Sequence, residues 1–273
     1  GILHSGDAGK SWTLREIGRV PAAHRVRFAD IAGDGHKDLL VAPVLNQTDS
    51  GGLSNPAHLP VPLYLFRHDN KDDWQQETIT QSNMGLVHAV QPYDWDQDHH
   101  DEVLTAGFSG VFLHKKTGST WARRLLATGD PSPWPDSGAS EVAIGHIANK
   151  RFFATIEHFH GNMMVVYLPK GNGYQRHVID TGLVTGHALL IADMDGDGVP
   201  QIVAAGDGSR ANLFYYKAAD ASGLTWTKML IDDDIAASSC VVADINDDGR
   251  PDIACMDNRK PNFIKWYEYH GSK

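Results

Sequence analysis

The sequence predicts an all-β fold, a β-propeller built from four-stranded antiparallel blades. The main observation is a segment of strand, acidic turn and strand that recurs four times along the chain. An apolar strand and a strand opened by an aromatic residue follow each copy, so four short strands repeat at about fifty residues. No helical periodicity interrupts them, and evenly spaced short strands are typical of propeller blades. We call the strands of a blade A to D, from the axis outward.

The first repeated segment supplies strands A and B. Its copies are HRVRFADIAGDGHKDLLVA from His24, HAVQPYDWDQDHHDEVLTA from His88, HALLIADMDGDGVPQIVAA from His187 and SCVVADINDDGRPDIACM from Ser239. A further segment, EVAIGHIANKRFFATIEHF from Glu141, keeps both strands but lacks the acidic turn. Together these segments predict about five blades.

The second repeated segment supplies strands C and D, with an aromatic residue at the same position of each copy. These aromatic residues are Trp74, Trp121, Tyr174 and Trp226. The chain opens with a further C–D copy that contains Trp12, and it ends on a strand C at FIKWYEYH. We therefore expect a single propeller domain over residues 1–273. Either the ring closes irregularly, or the chain is a trimmed piece with further blades upstream.

Charge and hydropathy argue against nucleic-acid binding and against a membrane span. The 273 residues carry a formal net charge of −10 without a basic cluster, whereas binding to a nucleic-acid backbone needs Lys and Arg to neutralise phosphates. With 41% hydrophobic residues the chain can form a sizeable core, yet it lacks the apolar run of a membrane span or a signal peptide. We expect neither a nucleic-acid partner nor a membrane span, and the cellular location stays open.

The two cysteines, Cys240 and Cys255, lie on neighbouring strands of the last blade, where a disulfide is conceivable. They lack metal-ligand spacing, and we expect two reduced, buried thiols. The sequon Asn46-Gln47-Thr48 is a glycosylation acceptor only if the protein is secreted from a glycosylating cell.

The turns between strands A and B carry oxygen-bearing side chains at alternate positions, the pattern that Ca²⁺ or Mg²⁺ binds. Three turns predict such a site: Asp94, Asp96, Asp98 and Glu102; Asp193, Asp195 and Asp197 with Gln201; and Asp244, Asn246, Asp248 and Asp252. The first turn, with Asp30, Asp34 and Asp38, has Ala32 at one ligand position and is the weakest candidate. The alternative is that the carboxylates cap the backbone of their own turns. These turns resemble the FG-GAP or VCBS-type repeats of integrin-like propellers and of many secreted or carbohydrate-active proteins.

Three histidines share one position of the repeat, at the other end of strand A. His24, His88 and His187 each stand six residues before the first Asp of their turn. Because strands A surround the propeller axis, we expect these imidazoles to face the central opening. Three neutral imidazoles with an open coordination position can hold a catalytic Zn²⁺ or a similar divalent ion. The alternative is a structural histidine that was duplicated with the blade.

The connections between strands B and C should lie on the same side as these histidines, and they carry polar residues. These residues are Glu157, His158 and His160, then Asp207 and Arg210, and finally Arg259 and Lys260. Two long insertions, from Pro43 to Pro62 and from Gly129 to Gly138, also fall on this side, and insertions on one side of a repeat protein mark its binding side. Trp134 in the second insertion either stacks on a sugar ring or fixes its loop.

The order of aromatic-led strand D, His, strand A and acidic turn resembles the propeller of the aldos-2-ulose dehydratase family and related sugar lyases. The resemblance implies seven blades and a metal-dependent β-elimination on a keto-sugar or uronic acid derivative. Such a reaction needs a Lewis acid, a base for the α-proton and an acid for the departing hydroxyl. We assign the metal to His24, His88 and His187, the proton transfer to His158 or His160, and the anchoring of substrate oxygens to Arg210 and Arg259.

A non-enzymatic propeller is the alternative function. It would be a lectin or an adhesion module that holds Ca²⁺ in its acidic turns and binds glycans or protein without a transition metal at the axis. Metal content separates the two hypotheses. About one equivalent of Zn²⁺ per chain favours the enzyme, and Ca²⁺ alone favours the binding module. For the enzyme the partner is a carbohydrate substrate.

Overall fold

The computed structural model describes residues 1–45, 60–68, 73–209, 211–259, 261 and 263–271. Within these residues the strands form five antiparallel blades and an N-terminal hairpin, which confirms the predicted all-β propeller class. The sequon at Asn46, most of the first insertion, Arg210 and Lys260 lie outside the described residues. Among the described residues there is no helix long and apolar enough to cross a membrane.

The blades follow one another along the chain, with the strands of each blade in sequence order across its sheet. The hairpin is β1 (Ile2–His4) and β2 (Thr13–Arg15); blade one is β3 (Ala23–Ala29), β4 (Asp38–Pro43), β5 (Pro60–His68) and β6 (Trp74–Met84); blade two is β7 (Val87–Tyr93), β8 (Glu102–Gly107), β9 (Gly110–Thr117) and β10 (Thr120–Ala127); blade three is β11 (Glu141–Ile147), β12 (Lys150–Glu157), β13 (Met163–Lys170) and β14 (Gly173–Asp180); blade four is β15 (Gly186–Ala192), β16 (Gln201–Gly206), β17 (Leu213–Ala218) and β18 (Trp226–Asp232); and blade five is β19 (Ala237–Ala243), β20 (Asp252–Asp257) and β21 (Phe263–Tyr267). Both chain ends therefore have the predicted strands, a C–D hairpin first and a strand C last.

The chain divides into two compact units, residues 1–104 with 113–124 and residues 105–112 with 125–273. In the first, Leu40, Leu63 and Leu65 are fully buried in a cluster that also contains residues of β7. The indole of Trp121, one of the predicted repeat aromatics, packs on this cluster and donates Nε1–H to Glu77 at 2.6 Å. Strand D thus fastens its blade to the preceding blade through its aromatic residue.

In the second compact unit, the core lies between the sheets of blades three and four. Phe152, Met164 and Ile202 are fully buried in one cluster. Trp226 packs against it, with its ring 5.8 Å from that of Phe152. Strand D of blade four therefore repeats the role that Trp121 has in the first unit, which explains why the sequence keeps an aromatic residue at this position.

The missing acidic turn of blade three has a simple local cause. Ala148 and Asn149 both have positive φ, 50° and 62°, and the strands pair directly across them, Ile147 with Lys150. This geometry is that of a two-residue type I′ hairpin, whose twist matches the twist of the strands. A turn of two residues leaves no room for the alternating carboxylates that the other blades carry.

The prediction of two reduced cysteines is wrong. Cys240 and Cys255 form a disulfide, and they are direct partners in the register of β19 and β20. Their Cα atoms are 4.1 Å apart, which is the short spacing of a non-hydrogen-bonded antiparallel pair, and this brings the two sulfur atoms within bonding reach. The neighbouring-strand placement was correct, and it is this placement that permits the bond.

Candidate functional site

The histidine position of the repeat coincides with a β-bulge at the start of strand A. In blade one the pairing of β3 with β4 shifts between Ala23 and Arg25, which leaves His24 in the bulge. In blade four the same shift falls between Gly186 and Ala188, around His187. A bulge takes a residue out of the ladder and re-aims its side chain. The shared spacing between histidine and acidic turn therefore reflects a β-bulge that blades one and four have in common.

In the first compact unit, two of the predicted metal ligands lie together. The rings of His24 and His88 are 4.7 Å apart between centroids, with His24 exposed and His88 buried. Arg25 Nε donates to the backbone carbonyl of His88 at 2.7 Å, which fixes the start of β7. Its Nη2 lies 3.4 Å from His88 Nδ1, longer than a normal hydrogen bond.

In the second compact unit, a third predicted ligand meets a residue of the blade-three loop. His187 is buried, and its ring packs edge-on against that of His160 at 4.8 Å. His160 is stacked on Phe159 at 4.2 Å and has a positive φ of 48°. The loop backbone is held by the N–H of Gly186, which donates to the Gly161 carbonyl at 2.8 Å. The structure thus places His160 beside an imidazole that the sequence assigned to metal binding.

His158, from the same loop, has a defined tautomer. Its Nδ1 lies 3.1 Å from the carbonyl oxygen of Phe159, and because a carbonyl only accepts, Nδ1 must carry the proton. In the neutral ring Nε2 then presents a lone pair. The side chain is 33% exposed, and Asp136 Oδ1 lies 3.7 Å from Nδ1. His158 can therefore accept a proton at Nε2 and, once charged, pair with Asp136.

Asp136 belongs to the second insertion, which the structure joins to this loop. Backbone hydrogen bonds between Asp130 and Gly138, at 2.9 and 3.1 Å, close the insertion at its base. The ring of Phe108 lies 6.3 Å from that of Trp134 and 4.9 Å from that of Phe159. Phe108 is buried and Phe159 is stacked on His160, whereas Trp134 is exposed, so Trp134 is the ring of this cluster that a ligand can reach.

A buried charge network anchors the chain just before His158. Glu157 is completely buried, and its carboxylate accepts from Thr155 Oγ1 and Tyr167 Oη at 2.7 Å each and from Arg176 Nε at 2.8 Å. Burial, followed by the charge of Glu157, raises the pKa of the Tyr167 hydroxyl, which keeps it a donor. Glu157 is therefore a structural anchor whose carboxylate is closed off from solvent.

Two arginines are predicted to anchor substrate. Arg210 lies outside the described residues, and Arg259 lies within them. Arg259 binds Asp257 through Nε and Nη2, at 3.0 and 2.6 Å, and also pairs with Asp234. These bonds, with one from Nη2 to the backbone carbonyl of Asp234, use four of the five guanidinium N–H groups.

The acidic turns share one hydrogen-bond pattern. In blade four, Asp193 accepts from the N–H groups of Gly196 and Gly198 at 2.8 and 2.9 Å, and Gln201 accepts from that of Met194 at 2.6 Å. Both glycines have positive φ, so the turn needs them. The first carboxylates of the other turns accept two N–H groups in the same way, and they are Asp30, Asp94 and Asp244. In each of these four acidic turns the first carboxylate therefore caps the backbone of its own turn.

Two of these turns also contain a lysine. Oxygen atoms of Asp94, Asp96 and Glu102 come within 4.8 Å of one another, close enough to hold a cation. Lys115 Nζ already lies there, 2.6 Å from Asp96, 3.0 Å from Asp98 and 2.8 Å from Glu102. Its hydrogen bonds to Asp96 and Glu102 raise the pKa of the lysine, and its bond to Asp98 lowers the pKa of that carboxyl.

Blade four repeats the arrangement. Asp193, Asp195 and Asp197 bring their oxygens within 4.8 Å, and Lys217 Nζ lies 2.5 Å from Asp195 and 2.8 Å from Asp197. Sequence analysis missed both lysines, although they occupy one position of the repeat, directly after the apolar part of strand C.

Comparison with known proteins gives two family matches. The aldos-2-ulose dehydratase β-propeller domain matches residues 2–170, and an FG-GAP-like repeat matches residues 193–255. Aldos-2-ulose dehydratase of Phanerodontia chrysosporium is 26% identical over 294 residues, which cover 97% of this chain and 32% of that protein. The chain therefore spans about a third of the length of this relative.

One solved structure shares the fold at low identity. AofleA from Arthrobotrys oligospora has a TM-score of 0.56 at 10% identity, covering 97% of this chain and 75% of that chain. A lectin of Agrocybe aegerita, whose structure concerns recognition of non-reducing terminal N-acetylglucosamine, has a TM-score of 0.42 at 13% identity over 86% of this chain and 75% of that chain.

The family match covers more than half of the chain and includes His24, His88 and the loop from His158 to His160. The FG-GAP-like match covers the acidic turns of blades four and five. Both agree with the resemblances that the repeat predicted. The chain belongs to the aldos-2-ulose dehydratase β-propeller domain family.

Proposed function

We propose that this chain is the catalytic propeller of a sugar lyase, which eliminates water from a keto-sugar or a uronic acid derivative. Membership of a dehydratase propeller family supports a carbohydrate substrate with a carbonyl group. The observation that carries the proposal is His158, a partly exposed imidazole whose Nδ1 lies against the Phe159 carbonyl, so that Nε2 keeps its lone pair. This arrangement suits proton abstraction from a bound sugar.

The proposed metal ligands are His24, His88 and His187, because they share one position of the innermost strand in their blades. Neutral imidazole nitrogen suits Zn²⁺ and similar divalent ions, and buried rings such as His88 and His187 are protected from competing water. We propose that His160, whose ring contacts His187, supports or joins this ligand set. A bound ion would polarise the substrate carbonyl as a Lewis acid.

The proton transfers fall to His158. Its Nε2 takes the proton from the carbon next to the carbonyl, and the electron pair of that C–H bond forms a carbon–carbon double bond as the β-hydroxyl leaves. The departing hydroxyl takes up a proton, for which His158 in its charged form is the nearest candidate, so that water and an unsaturated ketone are the products. Asp136, 3.7 Å from Nδ1, stabilises the charged ring between the two transfers.

Substrate oxygens are proposed to bind Arg210 and Arg259. For Arg259 the bonds to Asp257 and Asp234 leave a single N–H for a ligand, so its contribution is one directed hydrogen bond. Trp134 would supply stacking area for the sugar ring.

The test uses an aldos-2-ulose as substrate, with the chain loaded with Zn²⁺. Elimination is followed by the ultraviolet absorbance of the conjugated ketone, and α-proton abstraction by deuterium exchange in NMR. We expect about one Zn²⁺ per chain, and His187→Ala or His88→Ala should lose both the ion and turnover. Retention of either property by these variants contradicts the metal assignment.

The His158→Gln variant separates proton transfer from metal binding. It should keep the ion and lose turnover by about 10²–10⁴-fold, the usual worth of a general base. His177→Gln on the outermost strand β14 is the matched control and should behave as wild type. If wild type binds glycans with Ca²⁺ alone and neither exchanges nor eliminates, the lectin or adhesion function replaces the enzyme.

A further inference from the structure

The lysines of blades two and four occupy equivalent positions. In blade four, Tyr216 pairs with Ile202, the second residue of β16, and Lys217 follows Tyr216 directly. In the sequence repeat, His114 and Lys115 stand in the same relation to Glu102 and Val103 of blade two. Each ammonium points to the carboxylates of its own A–B turn. The pairing of turn and lysine thus occurs in two blades, at the same position of each.

Blade five has the opposite charge at this position. Tyr267 pairs with Ile253 as Tyr216 pairs with Ile202, so the residue after it, Glu268, is the counterpart of Lys217. In the same blade the second turn residue is Asn246 instead of Asp, and its Nδ2 donates to Glu268 at 2.9 Å. In blades two and four, aspartate as the second turn residue therefore goes with lysine on strand C, and in blade five asparagine at that position goes with glutamate.

This match indicates that the charge of the turn is balanced from within the blade. The three N–H groups of a protonated lysine suffice for the three carboxylates that Lys115 contacts. Ca²⁺ needs six to eight oxygens at about 2.3–2.6 Å, and an ammonium at hydrogen-bond distance from three of these carboxylates fills the space between them and would repel the ion. A cation tethered to strand C also loses no translational freedom when it binds.

We propose that Lys115 and Lys217 are the resident cations of their turns, so that blades two and four of this chain exclude the Ca²⁺ that FG-GAP-type turns otherwise bind. Ca²⁺ does not fit these two turns because a lysine ammonium already lies among their carboxylates. The A–B turns of these two blades are held by an internal ion pair and do not need external calcium. The inference concerns the turns alone and stands apart from the proposed lyase chemistry.

The test replaces each lysine by Met, which keeps the length of the stem and removes the charge. Calcium stoichiometry is measured by titration calorimetry, with Tb³⁺ luminescence as a second probe. We expect Lys115→Met and Lys217→Met each to gain about one Ca²⁺ over wild type, and Ca²⁺ to raise the Tm of the variants more than that of wild type. Lys116→Met is the matched control, because Lys116 pairs with Glu77 at 2.5 Å and not with a turn. An unchanged stoichiometry in both variants overturns the proposal.

A measurement on the wild type covers the case in which a variant fails to fold. An acylating reagent labels lysines of the folded chain, and mass spectrometry reads the rate at each position. Lys115 and Lys217 should react much more slowly than the exposed Lys10 and Lys37, and millimolar Ca²⁺ should not change their rates. Faster labelling of Lys115 or Lys217 in Ca²⁺ would mean that calcium displaces the ammonium, and the proposal would be wrong.

Discussion

Replacing Arg176 by Met removes the cation from a completely buried carboxylate. Glu157 would keep its hydrogen bonds from Thr155 and Tyr167 and lose the 2.8 Å ion pair. Breaking a buried ion pair costs about 3–5 kcal/mol, and because Arg176 is itself 30% exposed we expect a smaller cost, about 2–3 kcal/mol. With an unfolding entropy of about 2.1 cal/mol/K per residue, this lowers the Tm of a chain of this length by about 4 °C.

The pH dependence of the stability lost in Arg176→Met identifies the cause of that loss. A buried carboxylate without its cation gains by taking up a proton, so the cost of Arg176→Met should be largest at neutral pH and shrink as the pH falls toward 4. The double variant Arg176→Met with Glu157→Gln buries no charge and should be more stable than Arg176→Met at pH 7. Urea unfolding at several pH values measures both effects.

Arg124→Met is the control for this series, because Arg124 is an exposed arginine of β10. It should change stability by less than about 0.5 kcal/mol. The reasoning is refuted if Arg176→Met costs no more than the control, or if its cost stays constant with pH. Since His158 follows Glu157 directly, Arg176→Met should also slow the proposed elimination, whereas Arg124→Met should not.

Two further predictions concern stability. Burial, and secondarily the charge of Arg123, lowers the pKa of His114 to about 3, below the ordinary 6.5, so the stability it contributes is complete above pH 6.5 and is lost as the pH falls toward 3. The loss should be about 1.4 kcal/mol per pH unit in urea unfolding, and His114→Phe should remove that slope; an equal slope in the variant contradicts the assignment. The disulfide joins residues separated by 15 positions, so Cys240→Ala with Cys255→Ala should cost about 3 kcal/mol, and an unchanged urea midpoint contradicts this.

Most of the fold could be predicted from the sequence because its signals are local. The two-residue period of the strands, the glycines of the acidic turns and the aromatic residue of strand D lie within one blade and recur in the next. They also predicted the N-terminal hairpin and the final strand C. The loss of the acidic turn at Ala148 and Asn149 was visible for the same reason.

The parts that were missed depend on register and on distant contacts. Cys240 and Cys255 were placed on neighbouring strands, but only the register shows that they are direct partners. The match of Lys115 and Lys217 with their turns needed the pairing of strands B and C. Asp136 was hidden because its contact with His158 joins an insertion to a loop of the next blade, and no repeat relates the two.

The coordination of zinc added to the chain tests the proposed histidine metal site most directly. An X-ray absorption spectrum of the Zn²⁺-loaded chain at the zinc edge reports the type and number of its ligands. The account predicts three imidazole nitrogens with one further light ligand, and a loss of imidazole scattering in His187→Ala. A first shell of carboxylate oxygens alone, unchanged in His187→Ala, would contradict it.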